Sequence, residues 1–161
     1  MHDIVDIALT IAPDQYEQII TMAIEAEPAY IDDVVSLAAK HHPQRLDEII
    51  RVAISSEPQL SNSVIHSAAI SAPDSFISAI MSTLTTLPDA TVNILTAMKD
   101  FLSGEQSETN KIKISNTEEQ WQVFIRQSKN QGVTKEEMRW FQKQGYITEK
   151  QLATVYIDSA E

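Results

Sequence analysis

Apolar residues recur through residues 1–102 in a fixed frame of fifteen, marked by Pro13, Pro28, Pro43, Pro58, Pro73 and Pro88, the only prolines in the chain. With each proline at position one, position four reads Tyr16, Ile31, Leu46, Ser61, Phe76 and Thr91. Position seven reads Ile19, Val34, Ile49, Val64, Ala79 and Ile94, and position eight reads Ile20, Val35, Ile50, Ile65, Ile80 and Leu95. Position eleven is Ala23, Ala38, Ala53, Ala68, Thr83 and Met98. Apolar residues at four, seven, eight and eleven share one face of an α-helix. Each unit therefore predicts one helix of about three turns, roughly 18 Å long. Ile4, Val5 and Ala8 fit the same frame as a truncated first unit.

Proline tolerates the first helical position, where its missing N–H has no intrahelical partner. It also forces the preceding residue out of helical geometry, which ends the previous helix. Two or three residues remain for each connection, so consecutive helices must run antiparallel. Stacked hairpins of this kind make an α-solenoid. Position twelve (Leu9, Ile24, Ala39, Ile54, Ala69, Leu84) keeps a residual thirty-residue alternation of large and small, in line with hairpin pairs. A continuous coiled coil is excluded, because each proline would break it. No glycine precedes Gly104, so none of these helices closes on a left-handed glycine. Position fifteen (Ala12, Glu27, His42, Glu57, Ala72, Leu87) also lacks a preferred side-chain cap. Asp14, Asp74 and Asp89 compensate in part through the helix dipole.

The frame ends near Leu102, and residues 103–116 read as a polar linker. Within it Lys111–Ser115 alternates with period two and reads as a short strand or an extended linker. Residues 117–161 predict three helices, opened by capping boxes at Thr117 with Gln120, Thr134 with Glu137, and Thr148 with Gln151. Gly132 and Gly145 stand where C-terminal caps belong. Trp121, Phe124, Ile125, Met138, Phe141, Leu152, Val155 and Tyr156 are the predicted core of this unit. The fold class is thus all-α: a short α-solenoid of about seven helices followed by a small three-helix unit.

Trp121 and Phe124, with Gly132-Val133-Thr134-Lys135-Glu136-Glu137-Met138-Arg139-Trp140 and the downstream Ile147-Thr148-Glu149-Lys150-Gln151, resemble a large polyvalent protein-associated domain. The resemblance covers about a quarter of the chain. It implies a phage or mobile-element setting and no specific chemistry. The segment after the motif, Phe141 to Tyr146, is shorter than the family's pattern.

Charge narrows the partners. The chain has 161 residues, 23 acids against 12 bases, and a net charge of −11. That balance argues against phosphate backbones and anionic membranes. Without cysteine there is no disulfide, no thiolate metal site and no cysteine nucleophile. The start carries no basic leader, the first Lys or Arg being Lys40, and no stretch reads as a membrane span. The expectation is a cytoplasmic protein.

Glu17, Asp32, Asp33, Asp47 and Glu48 occupy positions five and six, and stacking is expected to line them into an acidic ridge for a basic partner. Dipole complementation near helix N-termini explains the same acids without a partner. Lys135, Arg139 and Lys143 lie four apart on one predicted helix. They form a basic stripe that could dock on the ridge, within the chain or between chains. Residues 134–158 also read as helix–turn–helix, but the second helix is poor in basic residues, against DNA binding. His41-His42 at a helix end complements the dipole, and His66 is expected to be exposed.

P-loop, GxGxxG, HExxH and GxSxG motifs are absent, so neither catalytic residue, cofactor nor metal is assigned. From Pro58 to Met98 the only charges are Asp74 and Asp89, with Ile70, Ile77 and Val92 at would-be outer positions. Such faces are often covered, here by the C-terminal helices or by a second copy in a homodimer. The sequence points to a non-enzymatic module binding another protein through its solenoid surface. The alternative is an acidic phage or mobile-element inhibitor that mimics nucleic acid and blocks a basic cleft of a host protein.

Overall fold

The computed structural model describes residues 2–102 and 118–156. The proline-marked part folds into α1 (His2–Ile11), α2 (Tyr16–Ala26), α3 (Ile31–His41), α4 (Leu46–Ser56), α5 (Ser61–Ser71), α6 (Phe76–Thr86) and α7 (Thr91–Leu102). After the linker come α8 (Glu118–Asn130), α9 (Lys135–Lys143) and α10 (Glu149–Tyr156). No strand occurs among the described residues, and Lys111–Ser115 and Thr117 lie outside them.

Each junction is closed by its own backbone. The residue before the proline adopts φ between −127° and −145° with ψ between 64° and 82°. In that conformation its N–H still donates to the carbonyl at position eleven of the finished helix, as from Glu27 to Ala23 at 3.1 Å and from His42 to Ala38 at 2.8 Å. Its own carbonyl accepts from position three of the next unit, as from Tyr30 to Glu27 and from Arg45 to His42, both at 3.0 Å. One residue thus ends one helix and starts the next, so neither glycine nor a capping side chain is needed. The proline opens a short 3-10 turn at five of the six junctions, and the α-helix itself starts at position four. Position four is buried throughout. Where it is polar, the hydroxyl is satisfied by the turn: Ser61 Oγ donates to Pro58 O at 2.7 Å and Thr91 Oγ1 to Pro88 O at 2.8 Å.

The helices form two layers, α1, α3, α5 and α7 in one and α2, α4, α6 and α8 in the other. Within a layer, neighbours are parallel and meet in a register of thirty-five residues. Asp6 pairs with His41, Asp32 with Ser67, Ser36 with Ser71, Asp47 with Ser82, and the His66 ring with that of Phe101. Thirty of these residues are one hairpin, and the other five shift each helix by more than a turn along its neighbour. Position five of one helix thereby meets position ten of the next helix in its layer, and position nine meets position fourteen. Consecutive helices are antiparallel. The start of α6 (Phe76) meets the end of α7 (Phe101), with ring centroids 6.2 Å apart.

Positions seven, eight, eleven and twelve form the core between the layers. Ala38, Ala53 and Ala68 at position eleven are fully buried. At position twelve the even helices carry Ile24, Ile54 and Leu84 and the inner odd helices carry Ala39 and Ala69, all buried. α3, α5 and α7 accordingly approach one another more closely than α2, α4 and α6 do.

The C-terminal helices are joined to the stack. α8 packs against α6 as the next even-layer helix, α10 packs on α8, and α9 packs on α10. Ile77, expected at an outer position, is fully buried, because position five of α6 lies on the side that α8 covers. Val92, the same position in α7, has no following odd helix and is 73% exposed. Trp121, Phe124 and Phe141 form the centre of the C-terminal unit, Phe124 and Phe141 meeting edge to face at 5.4 Å. Thr134 accepts from the Glu137 N–H at 3.3 Å. Thr148 and Gln151 cap each other reciprocally, at 3.1 and 2.8 Å. Gly132 and Gly145 take φ of 91° and 87°, the left-handed closure. Lys129 Nζ caps the end of α10 by donating to Val155 O at 2.8 Å.

Candidate functional site

The five acids do not form one ridge. Glu17, Asp47 and Glu48 sit on the even layer and Asp32 and Asp33 on the odd layer, whose solvent faces point away from each other. The frame of fifteen places them at equivalent positions of successive helices, but successive helices alternate between layers. Most of these acids also serve the stack. Asp32 accepts from Ser67 Oγ at 3.1 Å and Asp47 from Ser82 Oγ at 2.9 Å. Glu17 pairs with Arg51 at 3.2 Å. Glu48 accepts from the Tyr16 hydroxyl and lies 3.7 Å from Arg45, whose guanidinium also stands over the Tyr16 ring. Asp33 is exposed.

The basic stripe is on α9, with Arg139 and Lys143 exposed and Lys135 half-buried. α9 packs on α8 through Phe141 and on α10, beyond the even-layer helices that carry Glu17, Asp47 and Glu48. Among the described residues no ion pair joins the stripe to these acids.

The histidines depart from expectation. His41 Nε2 lies 2.8 Å from Asp6 Oδ1 and ties α3 to α1. His42 packs on the Tyr16 ring at 5.0 Å, with Nε2 buried and unpartnered. Burial, followed by the charges of His41 and Arg45, holds it below the ordinary histidine range against an opposing pull from Asp14. It therefore favours the neutral ring and not the dipole-complementing cation. His66 is half-buried, edge to face with Phe101 at 5.3 Å. Burial lowers its pKa, while Asp100 and Asp32 oppose the shift. Among the described residues no group of three His, Asp or Glu could hold a metal ion. None of the described helices is long and apolar enough to cross a membrane.

The surface offers grooves between same-layer helices. On the odd layer, one of about 340 Å³ lies between α3 and α5, lined by Asp32, Asn62, Ser63, His66 and Ile70. A second, of about 400 Å³, lies between α5 and α7 and is lined by Gln59, Asn62, Asn93, Thr96 and Asp100. The two share Asn62, so they flank α5 on one surface. On the even layer a wider groove of about 620 Å³ between α2 and α4 is spanned by the Glu17–Arg51 pair. Sequence reading finds the uncharged stretch, but not that its hydroxyls and amides line two adjoining grooves. That needs the layer assignment.

No protein-family pattern matches the chain, and neither a characterised protein nor a solved structure is significantly similar to it. The C-terminal resemblance to a large polyvalent protein-associated domain is thus carried by its quoted residues alone.

Proposed function

We propose that the chain is a non-enzymatic interaction module that holds a segment of another protein on its odd-layer face, centred on α5. The observation that carries this reading is the pair of adjoining grooves flanking a helix with no Asp, Glu, Lys or Arg. Their polar lining is mostly amide and hydroxyl, groups that recognise a peptide backbone or uncharged side chains without the desolvation cost of charge. Ile70 is 52% exposed at the edge of one groove and supplies an apolar anchor. Repeat stacks present extended surfaces of this kind to partners. The internal pairing of Glu17, Asp32, Asp47 and Glu48 leaves less acidic surface for the alternative, an inhibitor of a basic cleft.

Pull-down with the wild-type chain, Ile70→Glu and Asp33→Asn, at low and high salt, tests the reading. The proposal expects a partner retained at high salt, retained by Asp33→Asn and lost with Ile70→Glu. A partner released by salt and weakened by Asp33→Asn would favour the acidic inhibitor from a mobile element.

A further inference from the structure

We infer that a second copy of this chain covers the N-terminal end of the stack, in a two-fold dimer of α1 and α2 against α1 and α2. The register shows what this end is. In α3, Val34 and Leu37 at positions seven and ten are buried, position ten against the helix one hairpin earlier. The same positions of α1 are Ile4 and Ile7, 70% and 56% exposed, and position fourteen is Ile11, 77% exposed. In α2, position ten is Met22, 70% exposed. The leading side of the stack is thus a core-type surface on which none of the other described residues packs. Isolated apolar side chains on a surface are ordinary, but four on one side of two neighbouring helices are not.

The opposite end of the chain does not match it. There α8 occupies the even side and α10 stands on α8. The odd side offers Val92 among Asn93 and Thr96, which is mostly polar. Head-to-tail stacking would leave Met22 without an apolar partner. Among the described residues, the surface that matches the leading side in apolar character is the leading side of another copy, and a self-complementary patch closes as a dimer. Two helices of 10 and 11 residues present a face of about 16 by 20 Å, roughly 320 Å² a copy, which makes a small contact of the weak, reversible class. Each copy carries −11, so added salt tightens the dimer by screening repulsion. The opposite salt response is expected of a complex with a basic partner.

Sedimentation velocity of the full chain from about 1 to 200 µM tests this. The expected result is a reversible monomer–dimer equilibrium with a midpoint in the tens of micromolar, shifted toward dimer by salt. Ile7→Glu should weaken it at least about tenfold, whereas Val92→Glu and Ile70→Glu should leave it unchanged. In this cysteine-free chain, Ile7→Cys should cross-link into dimers at least about tenfold faster than Val92→Cys, which keeps the test independent of the fold of the Glu variant. A monomer at every concentration, growth beyond dimers, or sensitivity to Val92→Glu in place of Ile7→Glu would overturn the proposal. Failure there leaves the odd-face reading untouched, since that one stands on Ile70.

Discussion

The stack of residues 2–102 and the unit of residues 118–156 terminate their helices in different ways. In the stack one backbone device repeats at every junction: an extended residue before proline bonds backward to position eleven and forward to position three. In the C-terminal unit each junction is different and each carries its own chemistry. Gly132 and Gly145 supply left-handed closure, and Thr134 and Thr148 supply side-chain caps. The cores differ in the same sense. An inner helix of the stack has four helical neighbours and is satisfied by Ile, Val, Leu and Ala. The helices of the unit have fewer neighbours and gather their buried area with Trp121, Phe124 and Phe141. Repetition therefore replaces individually placed caps and large anchors, provided that the stack has ends that suit it.

The sharpest way to break this comparison is to separate the two regions. Deleting residues 103–161 uncovers the side of α6 that holds Ile77. It should lower the melting temperature by more than about 10 °C or cause aggregation, seen by circular dichroism and light scattering. A monomeric truncation with unchanged melting would mean that the stack needs no C-terminal cover. Next in size, Phe76→Ala and Phe141→Ala should each cost about 3–5 kcal/mol in denaturant unfolding. Hydrogen exchange should separate them. Loss of the Phe141 ring should raise exchange within residues 118–156, and loss of the Phe76 ring should spread through α5, α6 and α7.

Smaller substitutions test the two closures directly. Gly132→Ala should cost about 1–2 kcal/mol, because φ is 91° even though a Cβ there meets no atom within 4 Å. Pro43→Ala should cost less than about 1 kcal/mol, since an extended His42 can keep both backbone bonds and only unfolded-state stiffness is lost. A larger loss at Pro43 than at Gly132 would reverse the order. The smallest effect is a pH dependence. His42 and His66 are held below the ordinary value near 6.5 chiefly by burial, so the unfolded chain binds their protons first. Their contribution is therefore complete above about pH 6.5 and is lost as pH falls toward the lowered folded-state values. Unfolding midpoints should decline on acidification, and His66→Phe should flatten that decline.

The helices, the places of their proline junctions and the C-terminal caps were legible because each rests on local pattern. Proline at position one, apolar residues at four, seven, eight and eleven, and Thr148 with Gln151 are all contained within one unit. What was not legible depends on pairs a hairpin or more apart. The five acids looked like one ridge because position within a unit says nothing of layer, and Asp32 and Asp47 belong to opposite faces. Ile77 looked exposed because the helix that covers it follows a fifteen-residue gap and lacks the proline frame. Even His66, set against Phe101, follows only once the thirty-five-residue register is known.

That register underlies the layers, the grooves and the uncovered N-terminal end, and it can be measured covalently. Ser36 Oγ and Ser71 Oγ lie 2.8 Å apart in a chain without cysteine. Ser36→Cys with Ser71→Cys should close an intramolecular disulfide on mild oxidation and raise the melting temperature. Ser36→Cys with His66→Cys, one hairpin apart, should not close. Ready closure of the thirty-residue pair, with none of the thirty-five-residue pair, would contradict the thirty-five-residue register.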